Sequence, residues 1–290
     1  MAHTFPIGFI TNVLHGAGIE HLAEAADIAS NLGFRCLEVG PTYDLNELDT
    51  VYERGLTVSG LIYCRNLLTD NEDDAAYYYK QVEERIKVAG TYGIPLITIS
   101  AGIVDVSGET EVYDEYEAIR TLPERSADRF AEIYSPLVSL AEKEQVVLAV
   151  ENCPQMANWA ISPYLWRKMF KRIDSKNLGL AYDPSHFVWQ YMDPYNPVIE
   201  FKDKIVHIHA KDTEILPGIL NDKGILTDFS WWRHRLPGWG DLNWRRIFSL
   251  LMEIDYRGAV SIEHEDPLFT GTKEKVIEGL SMAKRHLELS

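Results

Sequence analysis

Four short apolar segments of the sequence each end on a side chain that can bind a metal ion. In chain order, these side chains are Glu151, Asp183, His209 and Glu263. One carboxylate or imidazole at the end of a hydrophobic strand is ordinary, but four in succession indicate one site at which strand ends converge. Three carboxylates and one imidazole form a mostly oxygen ligand set, which favours Mn²⁺, Mg²⁺ or Co²⁺ over a structural zinc ion.

Three further side chains are candidates for holding a substrate at such a site. His186 follows Asp183 in the sequence Asp-Pro-Ser-His; we favour a substrate-binding role, with orientation of Asp183 or simple packing as alternatives. Lys211 lies on the same side of its strand as His209, so we expect its ammonium group to face the substrate; the alternative is a surface ion pair with the aspartate that follows it. Arg235 opens a Pro- and Gly-rich turn, from which a guanidinium group can bind oxygen-rich ligands, and the alternative is a solvated loop charge.

Three other polar side chains are open to more than one interpretation. Glu38 ends the second predicted strand and either lines the pocket or pairs with another group inside it. His207 lies one layer deeper than His209 on the same side of the strand, so a hydrogen-bonded core histidine is the favoured interpretation. The side chain of Glu265 is expected to point to the same side of the chain as that of Glu263, so Glu265 is a weaker candidate metal ligand.

The elements that must position these residues alternate between short apolar runs and amphipathic stretches, which is typical of βα repeats around a parallel sheet. We predict strands at 7–10, 36–39, 57–62, 96–100, 146–151, 178–183, 205–210 and 259–263. We predict the clearest helices at 19–32, 74–91, 126–143, 163–172, 244–254 and 273–286. Eight strands with intervening helices indicate a single-domain (β/α)8 TIM barrel over residues 1–290. A doubly wound sheet is disfavoured, because no GxGxxG turn follows the first strand.

Three predicted loops are longer than a barrel turn requires, namely 65–73, 103–124 and 213–243. Each follows a strand, which places it at the C-terminal mouth of a barrel, where barrel enzymes keep their active sites. The last of them contains the aromatic and basic stretch 231–235. We therefore expect 213–243 to be a lid or specificity loop over the mouth.

The composition disfavours several classes of protein. The 290 residues carry a formal net charge of −16, which argues against nucleic acids and anionic membranes as partners. A hydrophobic fraction of 46% is sufficient for a large core, and no apolar run reaches the ~20 residues of a membrane helix. The cysteines at positions 36, 64 and 153 form no CxxC pair, and the N-terminal residues show no secretion signal. We therefore expect reduced thiols in a cytoplasmic protein.

These motifs resemble those of the xylose-isomerase-like sugar isomerase/epimerase superfamily, and the resemblance covers essentially the whole chain. The hallmarks of that superfamily are a strand ending in Glu, a strand ending in Asp-x-x-His, a His-x-His strand, an Arg-x-Pro-Gly-x-Gly loop and a final strand with Ile-Glu. They appear here as Ala149-Val150-Glu151-Asn152, Asp183-Pro184-Ser185-His186, His207-Ile208-His209, Arg235-Leu236-Pro237-Gly238-Trp239-Gly240 and Ser261-Ile262-Glu263. Together they are specific for the superfamily, although each alone is weak.

The resemblance also implies roles for individual residues. It implies that the metal, often Mn²⁺, is bound by Glu151, Asp183, His209 and Glu263. It implies that substrate oxygens are held by His186 and Arg235. In ketose 3-epimerases of this superfamily, the two metal-bound glutamates flank the substrate and exchange a proton through a metal-stabilised enediolate. Glu151 and Glu263 would then be the catalytic base and acid.

The chain departs from the ketose 3-epimerases in one respect. Their arginine usually lies a few residues after the metal-binding histidine, whereas Arg235 is far from His209 in the sequence. The intervening segment, with Lys211, resembles superfamily members that act on keto-inositols or on 3-keto-glycosides, including epimerases and C-glycoside-cleaving lyases. We therefore predict a divalent-metal-dependent carbohydrate isomerase or epimerase that transfers a proton α to a ketone. A dehydratase or lyase that uses the same first step is the alternative.

Other functions are less favoured. An apurinic-site endonuclease on the same barrel would need three zinc ions, more histidine ligands and a basic surface. A non-catalytic barrel is disfavoured by the intact ligand set. We expect a small carbohydrate as the substrate, and favour an unphosphorylated one because no glycine-rich loop precedes a helix N-terminus. Homo-oligomers are expected only by analogy with similar barrels.

Overall fold

The structure is a computed structural model that describes residues 5–104 and 112–290. Its strands are β1 (Ile7–Ile10), β2 (Cys36–Val39), β3 (Thr57–Ile62), β4 (Leu96–Ile99), β5 (Val147–Glu151), β6 (Leu178–Tyr182), β7 (Ile205–Ala210), β8 (Asp212–Ile215), β9 (Trp232–Arg235) and β10 (Val260–Ile262). Its helices are α1 (Asn12–His15), α2 (Leu22–Asn31), α3 (Asp49–Tyr52), α4 (Glu72–Tyr92), α5 (Val112–Lys143), α6 (Pro163–Arg172), α7 (Ser185–Trp189), α8 (Asn196–Glu200), α9 (Pro217–Lys223), α10 (Trp244–Glu253) and α11 (Lys273–Glu288).

Eight of these strands form a closed barrel, in the order β1-β10-β7-β6-β5-β4-β3-β2. β1 pairs in parallel with both β10 and β2, which joins the first barrel strand to the last. The other two strands, β8 and β9, pair antiparallel in a separate two-stranded ribbon. The predicted (β/α)8 barrel is confirmed.

The chain forms two compact units. The first unit comprises Met1–Ser59 and Tyr182–Ser290, and the second comprises Gly60–Ala181. The boundaries fall inside β3 and β6, so these two strands contribute residues to both units. The expectation of a single domain over residues 1–290 stays a prediction.

The core of each unit follows from the apolar content of its strands. In the first unit, every residue of β1, β2 and β10 is buried. In the second unit, every residue of β4 is buried. Parallel strands have this composition because helices cover one face of the sheet and side chains fill the barrel interior. The helices are amphipathic, and α10 is an example. It buries Trp244, Ile247, Phe248 and Leu251, which lie on one helical face, and Asn243 caps its first turn.

The predicted barrel strands agree with the structure to within one residue at each end. The predicted loop 103–124 is wrong from residue 112 onward, because α5 begins at Val112; residues 105–111 lie outside the described residues. This helix contains Pro123. Proline lacks the N–H group that a helix interior uses, which is why the sequence around it resembles a loop.

The segment 213–243, which was predicted as a loop, contains regular structure. β8 and β9 form the antiparallel ribbon, with α9 between them, and Asp212 lies opposite Arg235 and Thr213 opposite His234. Side chains alternate between the two faces of such a ribbon. We call residues 212–235 the ribbon segment.

The helices and the cysteines of the described residues can be compared with the sequence-based expectations. None of the helices in this part of the chain is long and apolar enough to cross a membrane. Cys36, Cys64 and Cys153 are buried, and among the described residues none of them forms a disulfide, as expected from their spacing. A buried thiol is inert unless its surroundings favour the thiolate. For Cys36 they do not, because burial raises the pKa of the thiol to about 12.

Gly8 lies in β1, at a position where a larger residue has no room. A Cβ atom there would lie 2.5 Å from the carbonyl oxygen and 2.6 Å from the sulfur of Cys36 on β2. We expect Gly8→Ala to lower the free energy of unfolding by about 1–3 kcal/mol, because the two strands must move apart to admit the methyl group. Urea denaturation followed by circular dichroism measures this change.

Gly16→Ala is the matched control for this substitution. A Cβ atom at Gly16 would lie 3.5 Å from the nearest atom, and the residue already has a φ of −60°. We expect this variant to lie within about 0.5 kcal/mol of the wild type. Equal stability of the two variants would contradict the close packing of β1 against β2.

Candidate metal centre

Three of the four predicted ligands come together in the first unit. Asp183 directly follows β6, His209 lies in β7, and Glu263 directly follows β10. β7 and β10 are neighbours, with Ser261 opposite His209. As a result, Nδ1 of His209 lies 3.5 Å from Oε2 of Glu263. Asp183 and His209 are fully buried, whereas the Glu263 side chain is 18% exposed.

The ammonium group of Lys211 links the carboxylates of this cluster. Its Nζ atom lies 2.9 Å from Oε2 of Glu263, 3.1 Å from Oδ2 of Asp183 and 3.0 Å from Oε2 of Glu265. The Lys211 side chain is only 1% exposed, so the alternative of a surface ion pair is wrong. One ammonium group cannot neutralise three carboxylates, so the cluster keeps an excess of negative charge. Carboxylate oxygens together with the imidazole of His209 form a ligand set that fits a hard divalent cation.

Burial and the ammonium group act in opposite directions on these carboxyl groups. Burial raises the pKa of Asp183, and Lys211 offsets part of that shift. Burial would also raise the pKa of Glu263, but the ammonium group of Lys211 holds it well below its ordinary value. Glu263 is therefore ionised at neutral pH, as a metal ligand or a proton acceptor must be.

The fourth predicted ligand, Glu151, belongs to the second unit. It ends β5, opposite Ala181 of β6, and is 2% exposed. Its Oε2 atom lies 3.9 Å from the sulfur of Cys64, and the side-chain amide of Asn158 donates a hydrogen bond to its backbone carbonyl at 2.5 Å. The membership of Glu151 in the ligand set stays a prediction.

A buried carboxylate on β2 contacts two histidines. Oε1 and Oε2 of Glu38 lie 3.2 and 3.1 Å from Nε2 of His209. Oε2 also lies 2.7 Å from Nε2 of His207, which is in turn 3.0 Å from Oγ of Ser261. Burial alone would raise the pKa of Glu38, but the two imidazoles hold it well below its ordinary value. Of the two alternatives left open for Glu38, the structure shows pairing inside the barrel. The favoured interpretation of His207 as a hydrogen-bonded core histidine is confirmed.

His186 is fully buried beside Asp183. Its Nε2 atom lies 3.3 Å from Oδ2 of Asp183, and the indole N–H of Trp189 donates to its Nδ1 atom at 3.4 Å. Burial and the ammonium group of Lys211 hold the pKa of His186 well below its ordinary value, so the imidazole is neutral at pH 7. Its own proton then lies on Nε2, the ring nitrogen that is 3.3 Å from Oδ2 of Asp183. This geometry agrees with a role in orienting Asp183, and substrate binding stays a prediction.

Arg235, at the end of β9, is buried and paired. Its Nη1 atom lies 3.1 Å from Oδ1 of Asp266, and its Nε atom lies 3.3 Å from Oε2 of Glu214. The guanidinium carbon lies 5.4 Å from the ring centroid of Trp239. The alternative of a solvated loop charge is therefore wrong, and the predicted contact with substrate oxygens stays a prediction.

Sequence reasoning missed His234, which the ribbon segment brings to the same cluster. Its Nε2 atom lies 3.5 Å from Oε2 of Glu265, and its ring packs edge-on against Trp232 and His186 at centroid distances of 4.9 and 6.3 Å. Burial and the nearby ammonium group lower the pKa of His234. The available signal was the two-residue alternation of β9, which places His234 on the opposite face from Arg235.

Comparison with known protein families and curated sequences identifies the family. A family model described as a xylose isomerase-like TIM barrel matches residues 26–286, which is most of the chain, and the chain therefore belongs to this family. The uncharacterised protein YfiH of Bacillus subtilis (strain 168) is 35% identical over 98 residues, which cover 31% of each chain. Inosose dehydratase of Clostridium botulinum (strain Eklund 17B / Type B) is 24% identical over 289 residues, which cover 96% of this chain and 94% of the relative.

Solved structures show the same fold. The apo form of the 3-keto-D-glucoside 4-epimerase YcjR from E. coli has a TM-score of 0.70 and 17% identity, with 97% of this chain and 100% of that chain covered. The IolI protein with a bound zinc atom has a TM-score of 0.70 and 18% identity, with 98% of each chain covered. At these levels of identity, the structures support the barrel fold alone.

Asp212 ties the ribbon segment to the turn that follows it. Its carboxylate accepts hydrogen bonds from the backbone N–H groups of Thr213, Gly238 and Leu242 at 2.8, 2.9 and 3.0 Å. A Cβ atom at Gly240 would overlap Oδ1 of Asp212, which explains the second glycine of the Arg-x-Pro-Gly-x-Gly motif. Burial raises the pKa of Asp212 to about 6, against the opposing effect of these N–H donors.

This raised pKa makes a pH-dependent contribution to stability. An aspartate that binds its proton more tightly in the folded protein stabilises the fold at low pH, and the contribution is lost as the pH rises through about 6. Relative to Asp212→Asn, we expect the wild type to lose about 1 kcal/mol of unfolding free energy between roughly pH 5 and pH 7.5. Parallel urea denaturation curves measure the difference. A difference that stays constant, or a relative gain by the wild type, would contradict the assignment.

Proposed function

We propose that this member of the xylose isomerase-like TIM barrel family is a divalent-metal-dependent carbohydrate isomerase or epimerase, which transfers a proton at the carbon next to a ketone. The observation that carries the proposal is the cluster of Asp183, His209 and Glu263, in which the ammonium group of Lys211 bridges the two carboxylates. The oxygens of these two carboxylates and the adjacent imidazole are groups that bind divalent metal ions, and a metal bound by them would lie next to the substrate oxygens.

Four residues are assigned to the metal, namely Glu151, Asp183, His209 and Glu263. Mn²⁺ is the favoured ion, because the ligand set is mostly oxygen. Zn²⁺, which the similar IolI protein is described as binding, is the alternative, and metal analysis of the purified protein distinguishes the two. When bound, the ion polarises the ketone and makes the neighbouring C–H bond more acidic.

Glu151 and Glu263 are assigned to proton transfer. One glutamate, in its ionised form, removes the proton from the carbon next to the ketone. The other, in its protonated form, delivers its proton to the opposite face of that carbon, so the configuration inverts and the two glutamates exchange protonation states. Glu263 is suited to this role because the ammonium group of Lys211, against the effect of burial, holds its pKa well below its ordinary value and keeps it ionised. Glu151 is assigned from its position at the end of a buried barrel strand.

Three side chains are assigned to substrate oxygens, namely His186, Lys211 and Arg235. The three N–H donors of Lys211 contact Asp183, Glu263 and Glu265, so a substrate oxygen would bind Lys211 in place of one of these contacts. The guanidinium group of Arg235 is oriented by Asp266 and Glu214, which reduces the conformational freedom that it would lose on binding a ligand.

A dehydratase or lyase that shares the first step is the second candidate function. It is supported by the similarity to inosose dehydratases along almost the whole chain. After one carbon loses its proton, the electron pair forms a carbon–carbon double bond, and a hydroxyl group on the next carbon leaves as water once it is protonated. Lys211 is the strongest candidate for that proton donor, because the lowered pKa values of His186 and His234 keep both imidazoles neutral.

The proposal also includes the cellular setting and the kind of substrate. We infer a cytoplasmic protein, because the three cysteines form no disulfide among the described residues. We infer a small, unphosphorylated carbohydrate as the partner, since the net charge of −16 repels polyanions. Homo-oligomers stay an expectation by analogy with similar barrels.

Hydrogen exchange in D₂O, followed by ¹H NMR with Mn²⁺ present, tests the proposal on ketoses, keto-inositols and 3-keto-glycosides. We expect metal-dependent loss of the signal from the C–H group next to the carbonyl. A product of inverted configuration would identify an epimerase, and an unsaturated product would identify a dehydratase or lyase. We expect Glu263→Gln to slow the exchange by about 10²–10⁴-fold, because it removes the group that accepts the proton.

Two other variants make this test specific. Glu265→Gln is the matched control, since it makes the same change two residues away at a side chain that is 46% exposed; we expect it to keep the metal and most of the exchange. His209→Ala should lose the metal. Wild-type protein that takes up no metal, or equal exchange in Glu263→Gln and Glu265→Gln, would refute the proposed function.

A further inference from the structure

Glu38 connects the candidate metal ligand His209 to a deeper histidine, His207. In the barrel, β1 and β10 lie between β2, which carries Glu38, and β7, which carries both histidines. The side chains nevertheless meet, since Oε2 of Glu38 lies 2.7 Å from Nε2 of His207 and 3.1 Å from Nε2 of His209. Only side chains that point into the barrel interior can reach across two strands. All three are at most 1% exposed.

We infer that Glu38 is a positioning residue, which fixes the tautomer and the orientation of His209. An ionised carboxylate has only acceptor oxygens, so the Nε2 atoms of both histidines must donate to it. A neutral His209 with its proton on Nε2 has its lone pair on Nδ1, and Nδ1 is the atom that lies 3.5 Å from Glu263. Glu38 therefore directs an unprotonated nitrogen at the carboxylates of the candidate metal centre.

The inference rests on the proposed metal site and goes beyond it. It names Nδ1 of His209 as the atom that binds the metal, and it gives a function to Glu38 and His207, which lie outside the proposed ligand set. His207 holds Glu38 from the other side, because the shortest contact of its Nε2 atom is with Glu38, followed by Oγ of Ser261 at 3.0 Å. Loss of the Glu38 oxygens would leave His209 free to adopt the other tautomer.

A second cation bound directly by these three side chains is the competing explanation. One ligand atom from each of Glu38, His207 and His209 lies within 4.8 Å of the others. However, the 2.7 Å between Oε2 of Glu38 and Nε2 of His207 is a hydrogen-bond distance. Two ligand atoms that each lie about 2.0–2.2 Å from a tetrahedral ion are separated by about 3.4 Å, so a cation would have to push these groups apart.

The test compares the Co²⁺ affinity of the wild type with that of Glu38→Gln and Ser261→Ala. The amide in Glu38→Gln carries no charge and places N–H donors where the carboxylate has its second acceptor oxygen, so it holds the two Nε2–H groups more weakly. We expect Co²⁺ binding to weaken about 10- to 100-fold, as is usual when a group that orients a metal ligand is lost. We also expect the visible absorption spectrum of bound Co²⁺ to shift. Ser261→Ala leaves the contact between Glu38 and His209 intact and should stay within about twofold of the wild type.

A second measurement needs neither a folded variant at Glu38 nor a bound metal. ¹⁵N NMR of protein labelled at the histidine nitrogens distinguishes protonated from unprotonated ring nitrogens. We expect His209 of the metal-free wild type to carry its proton on Nε2, with the signal assigned by its absence in His209→Gln. With ¹¹³Cd²⁺ added, we expect coupling of the metal to Nδ1.

Each outcome separates the inference from the proposed function. Equal Co²⁺ affinity in Glu38→Gln and the wild type, or a proton on Nδ1 of His209, would overturn the inference and leave the metal site intact. Wild-type protein that binds no Co²⁺ would refute the metal site, while the NMR spectrum would still decide the tautomer. Two equivalents of bound Co²⁺, one of them lost in His207→Asn, would show a second cation site and also overturn the inference.

Discussion

The buried ammonium group of Lys211 is the interaction on which the candidate site depends. Carboxylates that leave water lose their hydration and repel one another, so they stay ionised only next to positive charge. Lys211 supplies that charge to Asp183 and Glu263 at 3.1 and 2.9 Å, and it also contacts the half-exposed Glu265 at 3.0 Å. The three carboxylates exceed the single ammonium group in charge. This excess of negative charge is what the proposed divalent cation would neutralise.

The ribbon segment adds to this cluster the side chains that the barrel strands do not supply. Asp212 holds the segment through backbone N–H groups of the following turn, and Asp266 holds it through Arg235. His234 is placed next to Glu265 by the same ribbon. The barrel strands thus provide the candidate ligands and the ribbon provides the donors around them. In TIM barrels, the active site is commonly built from strand ends together with the loops that follow them.

The barrel and its strand-end residues could be predicted because their signals are local. A run of buried apolar residues followed by Asp183 or Glu263 identifies both a strand and its polar end. The choice of partners could not be predicted, since it depends on strands that are far apart in the sequence. Lys211 pairs with carboxylates from two other strands, and Glu38 reaches histidines on β7. His234 was missed because its strand has only four residues within a segment that looks like a loop.

Diffraction at the manganese absorption edge, from crystals grown with Mn²⁺, tests the central claim most directly. We predict one anomalous peak within about 2.0–2.4 Å of the carboxylate oxygens of Asp183 and Glu263 and of Nδ1 of His209, with Glu151 as the fourth protein ligand. A chain with no peak at saturating Mn²⁺, or with its peak bound by other residues, would contradict the claim that these strand ends form a metal centre.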